Sequence, residues 1–196
     1  MAMSARLSPF QRLKGLARRF RLARRGATAV EFAMLAFPFF GLICGIVEIG
    51  MIMIVATTLE DATNSAAREI RTGQTQSSAS PSATNFVAAI CGNLTWLGSN
   101  CSANLNVDVR TFSQFSSVAA PQPVSNGVFN PASLTFNPGG PCDIVVVRSY
   151  YQWTLFTPMM NQALETLSGG KTLITSAATF RNEPYSSGAP DCSAPP

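Results

Sequence analysis

Few residues of this chain could do chemistry, and they are unevenly placed. Two carboxylates, Glu31 and Glu48, stand at the edge of and inside one long apolar run. An acid in such a setting must find a partner or a proton, because an isolated charge in lipid is expensive. Gly26 closes an arginine-rich stretch five residues before Glu31. Lacking a Cβ, glycine lets a protease approach an extended backbone closely. Ser168-Gly-Gly-Lys171 has the spacing of a serine nucleophile and lysine base, but the companion Ser-Asp-Asn and Lys-Thr-Gly motifs are absent. Gly170-Lys171-Thr172 would suit a phosphate loop, yet the required first glycine falls at Glu165. The chain has no histidine, which removes the commonest general base and zinc ligand together. Ser-His-Asp hydrolases, Cys-His proteases and His-ligated metalloenzymes are excluded. No acid pair in the C-terminal part is arranged for acid–base work, so the expectation is a non-enzyme with no cofactor and no metal.

The elements that carry these residues follow from charge and hydropathy. Of 196 residues 46% are apolar and only 12% charged, about half the usual charged fraction. The net charge of +4 hides a division. Residues 1–26 hold eight basic side chains and no acid, while the remaining 170 hold six basic and all ten acidic ones and sum to −4. A nucleic-acid partner would need its positive charge on a folded surface; nothing after Gly26 supplies one.

Residues 32–56 form 25 apolar positions broken by one charge, Glu48, long enough for a helix to cross a bilayer. Their Leu, Ile, Phe and Val side chains contribute roughly 4–8 kcal/mol to insertion, against about 3 kcal/mol for a central carboxylate. The basic flank is N-terminal, so the leader is expected to stay cytoplasmic and the chain after Ala56 to lie outside. Leu7, Phe10, Leu13, Leu16, Ala17 and Phe20 also form an apolar stripe on the leader, compatible with a mitochondrial transit peptide or a helix lying on an anionic leaflet.

The join Arg24-Arg25-Gly26-Ala27-Thr28-Ala29-Val30-Glu31-Phe32 resembles the type III signal of type IV prepilins, cut by a prepilin peptidase between Gly26 and Ala27. There Glu31, one helical turn beyond the new terminus, would pair with the freed amine of a neighbouring subunit. With the following Ala-Met-Leu-Ala-Phe-Pro, and with Thr179-Phe180-Arg181-Asn182-Glu183-Pro184-Tyr185 near the end, the chain resembles TadE-like minor pseudopilins of tight-adherence (Tad, or Flp) pili, of the type IVc class. It departs from major Flp pilins in having Phe32 after the glutamate, and from type IVa pilins in having Ala27 as the prospective first residue. The resemblance implies a role in pilus assembly or initiation, serving adhesion and biofilm formation. It also implies as partners the prepilin peptidase, other Tad pilins and pseudopilins, and the inner-membrane assembly platform. The expected location is the inner membrane, single-pass, with a periplasmic C-terminal domain or incorporation into an extracellular pilus. The alternative is an uncleaved bitopic envelope protein whose outer domain binds a partner.

The helical pattern continues past the span, with Leu59, Ala62, Ala66 and Ile70 on one face. This predicts a helix over 27–72, roughly 70 Å long, its first half in lipid and its second packed on a domain. Pro38 should bend or loosen it. Gly41 and Gly45 form a small-residue surface for helix packing. Glu48 is expected to contact another subunit or a component of the pilus machinery. Residues 73–82 read as a polar linker. A short helix over Phe86–Leu94 follows, capped by Ser82, then a strand over Leu105–Thr111. Residues 113–141 read as a long connection. A strand runs from Ile144 to Trp153, a short helix starts at Thr157-Pro158 and carries Met159, Met160, Ala163, Leu164 and Leu167, and a strand over Leu173–Phe180 ends the pattern. The fold class is therefore α+β: a leader (1–26), a long transmembrane helix (27–72) and a small pilin-like domain (73–196) of about three antiparallel strands and short helices. Cys44 lies in the span. Cys91, Cys101, Cys142 and Cys192 lie beyond it, on the oxidising side, and allow three pairings. The expected pairs are Cys91–Cys101, joining a helix to the next strand, and Cys142–Cys192, pinning the tail.

Overall fold

The computed structural model describes residues 26–98, 100–119, 122–157, 160–186 and 192. The leader and its apolar stripe, with Pro158 and Met159, lie outside them. Helix α1 runs unbroken from Ala27 to Arg71, through Pro38. Arg68 and Arg71 occupy its last turn, where cations favour the negative end of the helix dipole. Gly73, at φ +76°, then turns the chain out of the helix.

The chain divides into two compact units, one ending at Gly45 and one running from Ile46. In the first, Phe32, Met34, Leu35, Phe37, Phe39, Phe40 and Leu42 all stand exposed. So much contiguous apolar surface needs a cover other than water, and a helix of this length and composition fits a single-pass membrane protein.

The second unit is α+β. After α1 come a single turn α2 (Gln74–Ser77), α3 (Ala83–Asn93), a 3₁₀ turn and α4 (Asn100–Asn104). Strand β1 (Leu105–Phe112) leads to a two-residue hairpin, β2 (Val124–Ser125) with β3 (Val128–Phe129). Strand β4 (Ile144–Thr154), one turn α5 (Asn161–Leu164) and β5 (Lys171–Arg181) complete it. The main sheet is antiparallel in the order β1-β4-β5. Its register sets Val109 opposite Val147 and Tyr151 opposite Ile174. Alternation puts Val107, Val109, Val145, Val147, Tyr151 and Ile174 on one face, against Val55, Leu59, Ala62, Ala66 and Ile70 of α1 and Phe86 and Ile90 of α3. Each Val, Leu, Ile and Phe among them contributes about 1.5–3 kcal/mol on full burial. Thr63 Oγ1 donates to Ser149 Oγ at 2.9 Å across this interface, satisfying two hydroxyls that the core would otherwise strand.

Some expectations hold and others need adjusting. Ser82 caps α3 by accepting from the Asn85 N–H at 3.3 Å, as its type and position suggest. The helix expected to carry Leu164 through to Leu167 is only the four residues of α5. Leu167 is instead buried in a bridge with Lys171: its N–H, and that of Thr166, donate to the Lys171 carbonyl at 3.0 and 3.1 Å. Pairing with the start of β5 wins over continuing the helix. The 113–141 connection contains the β2–β3 turn, where Asn126 (φ 50°) and Gly127 (φ 73°) both take positive φ, as a type I′ turn requires.

Candidate functional site

The N-terminal junction is where α1 begins. Ala27, immediately after Gly26, is its first residue, and a side chain built at Gly26 would meet nothing within 4 Å. Glu31 follows one turn later on an exposed position. Cutting after Gly26 would therefore leave the helix whole, with a carboxylate near its start. Gly41 and Gly45 stand one turn apart on the same helix, but Gly41 is half-buried and Gly45 buried, so the two do not form an open small-residue surface.

Glu48 is the most constrained acid. It is fully buried within the second unit. Its Oε2 accepts the Thr157 N–H at 2.7 Å and the Phe156 N–H at 3.1 Å, while Oε1 lies 3.3 Å from the same Phe156 nitrogen. Strand β4 places this loop, and Leu155 N–H holds its start by donating to the Gly170 carbonyl at 2.8 Å. The expectation of a contact with another subunit arose because a buried carboxylate needs a partner. Here that need is met inside the chain, 108 and 109 residues away. Charge-assisted bonds of this kind are worth about 1.5–3 kcal/mol each.

The other end of α1 is closed by the stretch noted near the C-terminus. The Glu183 N–H donates to the Arg71 carbonyl at 2.9 Å, capping the helix, and the Glu183 carboxylate pairs with the Arg71 guanidinium at 2.9 Å. Asn182, 1% exposed, donates through Nδ2 to the Pro138 and Gly140 carbonyls at 3.0 and 2.8 Å. Arg181 donates to the Cys142 and Cys192 carbonyls at 3.1 and 2.6 Å. The Tyr185 ring lies against Gly73, leaving no room for a Cβ there. Residues 181–185 thus fasten the helix end, the 138–140 loop and the C-terminal disulfide together.

Cys91 joins Cys101 and Cys142 joins Cys192, with Cα separations of 5.8 and 5.2 Å. Cys44 is exposed on α1.

Sequence reading missed Asp108, which is fully buried on the opposite sheet face. It accepts from Arg110 Nε at 2.9 Å and from the Thr135 N–H at 2.9 Å, with Arg148 Nη1 at 3.9 Å. Arg110 also donates to the Ser133 carbonyl at 2.6 Å. The cluster ties the 133–136 segment to β1. Only the alternation of Asp108 and Arg110 with Val107 and Val109 hinted at it, and that pattern reads equally well as a solvated face.

Residues 26–68 match the model of the family described as TadE-like protein. Nothing among curated proteins or solved structures matches the chain. The match takes in the Gly26 junction, Glu31, Gly41, Gly45 and Glu48 and ends within α1, so the sheet and the 181–185 clasp lie beyond it. Over residues 26–68 the chain is thus similar to TadE-like proteins, which are associated with Tad pili.

Proposed function

We propose that this protein is a minor pseudopilin that takes part in assembling or initiating a Tad pilus, after a prepilin peptidase removes residues 1–26. The observation that carries the reading is the coincidence of Gly26 with the start of α1. Cleavage after Gly26 would give a complete apolar helix beginning at Ala27, with Glu31 one turn in. Glu31 then serves assembly by pairing with the new amine of a neighbouring subunit, and Gly41, which keeps part of its surface exposed, allows close approach of a neighbouring stem. The two disulfides support placing the outer domain in an oxidising compartment such as the periplasm. Neighbouring pilins and the inner-membrane assembly platform would be its partners, and adhesion the process served.

Intact-mass measurement of the N-terminus in cells with an active prepilin peptidase tests this. A chain beginning at Ala27 is expected, with Gly26→Val retaining the leader and losing pili. A full-length chain beside normal pili would instead favour an uncleaved bitopic envelope protein.

A further inference from the structure

The loop that Glu48 caps lies beside the apolar part of α1, not beside its polar end. Within the unit that starts at Ile46, one side of α1 is covered by the domain through Val55 and Leu59. The other side exposes Ile46, Val47, Ile49, Met53 and Ile54, then turns polar at Thr57, Glu60 and Asp61. A lipid-facing surface would run along that side as far as Ile54. Glu48 stands six residues earlier, about 9 Å back along the axis, and the Leu155–Thr157 loop is bonded to it.

The edge of the domain carrying this loop is therefore level with apolar helix. Phe156 leaves 52% of its surface exposed there, and no charged residue occurs between Ser149 and Leu164. Backbone outside a helix is tolerated at membrane depth only where it is buried in protein or lines a water-filled cavity. Leu155 and Thr157 are buried and Glu48 takes the N–H groups of Phe156 and Thr157, while the buried Thr157 hydroxyl has no hydrogen-bond partner among the described residues.

We propose that the Leu155–Thr157 loop is a second membrane contact. The Phe156 ring inserts just beneath the headgroups of the leaflet on the domain's side, and Glu48 is the positioning residue that holds the loop at that depth. Amphipathic elements at interfaces sink by about 5–10 Å, which matches the offset between Glu48 and Ile54. The partner is a phospholipid bilayer, engaged through the apolar ring of Phe156; no cation lies in the 149–164 stretch, and Lys171 stands opposite Thr154 at the end of the β4–β5 ladder. Held by helix and loop together, the domain keeps one face toward the membrane. The proposal does not depend on the pilus reading.

The test is collision accessibility of a nitroxide in the full chain, in phosphatidylcholine vesicles, with Cys44→Ser and either Phe156→Cys or Val128→Cys. Val128 is exposed on the β2–β3 hairpin. The label at 156 should meet oxygen several-fold more often than a water-soluble nickel complex, and the label at 128 the reverse. Equal nickel access at the two sites overturns the proposal. So does low access to both reagents with dipolar broadening, which would put Phe156 against a second copy. Adding Glu48→Ala should raise nickel access at 156 with the label at 128 unmoved, and Glu48→Gln should restore shielding. If 156 stays shielded in the alanine variant, Glu48 does not position the loop.

Discussion

Replacing Glu48 should release the loop it caps while leaving the sheet intact. In Glu48→Leu the Phe156 and Thr157 N–H groups lose their acceptor, forfeiting two charge-assisted bonds of about 1.5–3 kcal/mol each. Global stability should fall by less, because leucine also removes the several-kcal/mol penalty of burying a carboxylate. The local effect is the sharper one. Hydrogen exchange of those two amides reports the free energy of opening the loop. A loss of about 3 kcal/mol there corresponds to acceleration of roughly 100-fold. Glu48→Gln should fall between, since Oε2 accepts both amides and a single amide oxygen in its place retains two neutral bonds. At about 1 kcal/mol lost per bond, exchange should quicken by roughly 10–30-fold. The amides of Val145 and Val147 in β4 serve as internal references, because they belong to the central ladder. Unchanged exchange at Phe156 and Thr157 in the leucine variant would refute the reasoning, whatever happened to global stability.

Three further outcomes are expected. Gly73→Ala should lower the melting temperature, because φ +76° strains any L side chain by about 1–2 kcal/mol and the Tyr185 ring must also move. Gly92→Ala, inside α3 with open space around it, should instead raise stability by about 0.5–1 kcal/mol, and equal effects at both sites would contradict the backbone argument. Removing the Cys142–Cys192 bridge, with its separation of 50 residues, should destabilise by about 4 kcal/mol against about 2.7 kcal/mol for Cys91–Cys101 with 10; denaturant titration of the two double-serine variants would show the order, and the reverse order would refute it. Burial raises the phenol pKa of Tyr150, Tyr151 and Tyr185 above the ordinary 10.0, with the Asp143 charge adding to the rise at Tyr185. The folded state thus keeps protons that the unfolded chain gives up. That contribution to stability is complete below pH 10.0 and is lost as pH rises through the raised values. Denaturant melts at rising alkaline pH should show the loss, and a flat profile would count against it.

Helix α1 and its partition were legible because they rest on one-dimensional information. Hydropathy set the apolar half, the three-and-four spacing of Leu59, Ala62, Ala66 and Ile70 set the packed half, and Gly73 marked the stop. Strands β1, β4 and β5 were legible from alternation, and Ser82 from its place before an apolar helix. The junction proposed at Gly26 rests on the same kind of information, residue types at short fixed spacing. What the sequence left undecided depends on groups brought together from afar. The partner of Glu48 is a pair of backbone amides, which have no side-chain signature at all. Asp108 looks like a surface acid until Thr135 and Ser133 fold over it. The 181–185 stretch could be noticed as a pattern, but its work of capping Arg71, pinning Pro138 and Gly140 and filling the space beside Gly73 exists only once the sheet has returned to the end of α1. Local periodicity records which face of an element is buried; which polar group satisfies which is a property of three-dimensional proximity, and tertiary structure alone decides it.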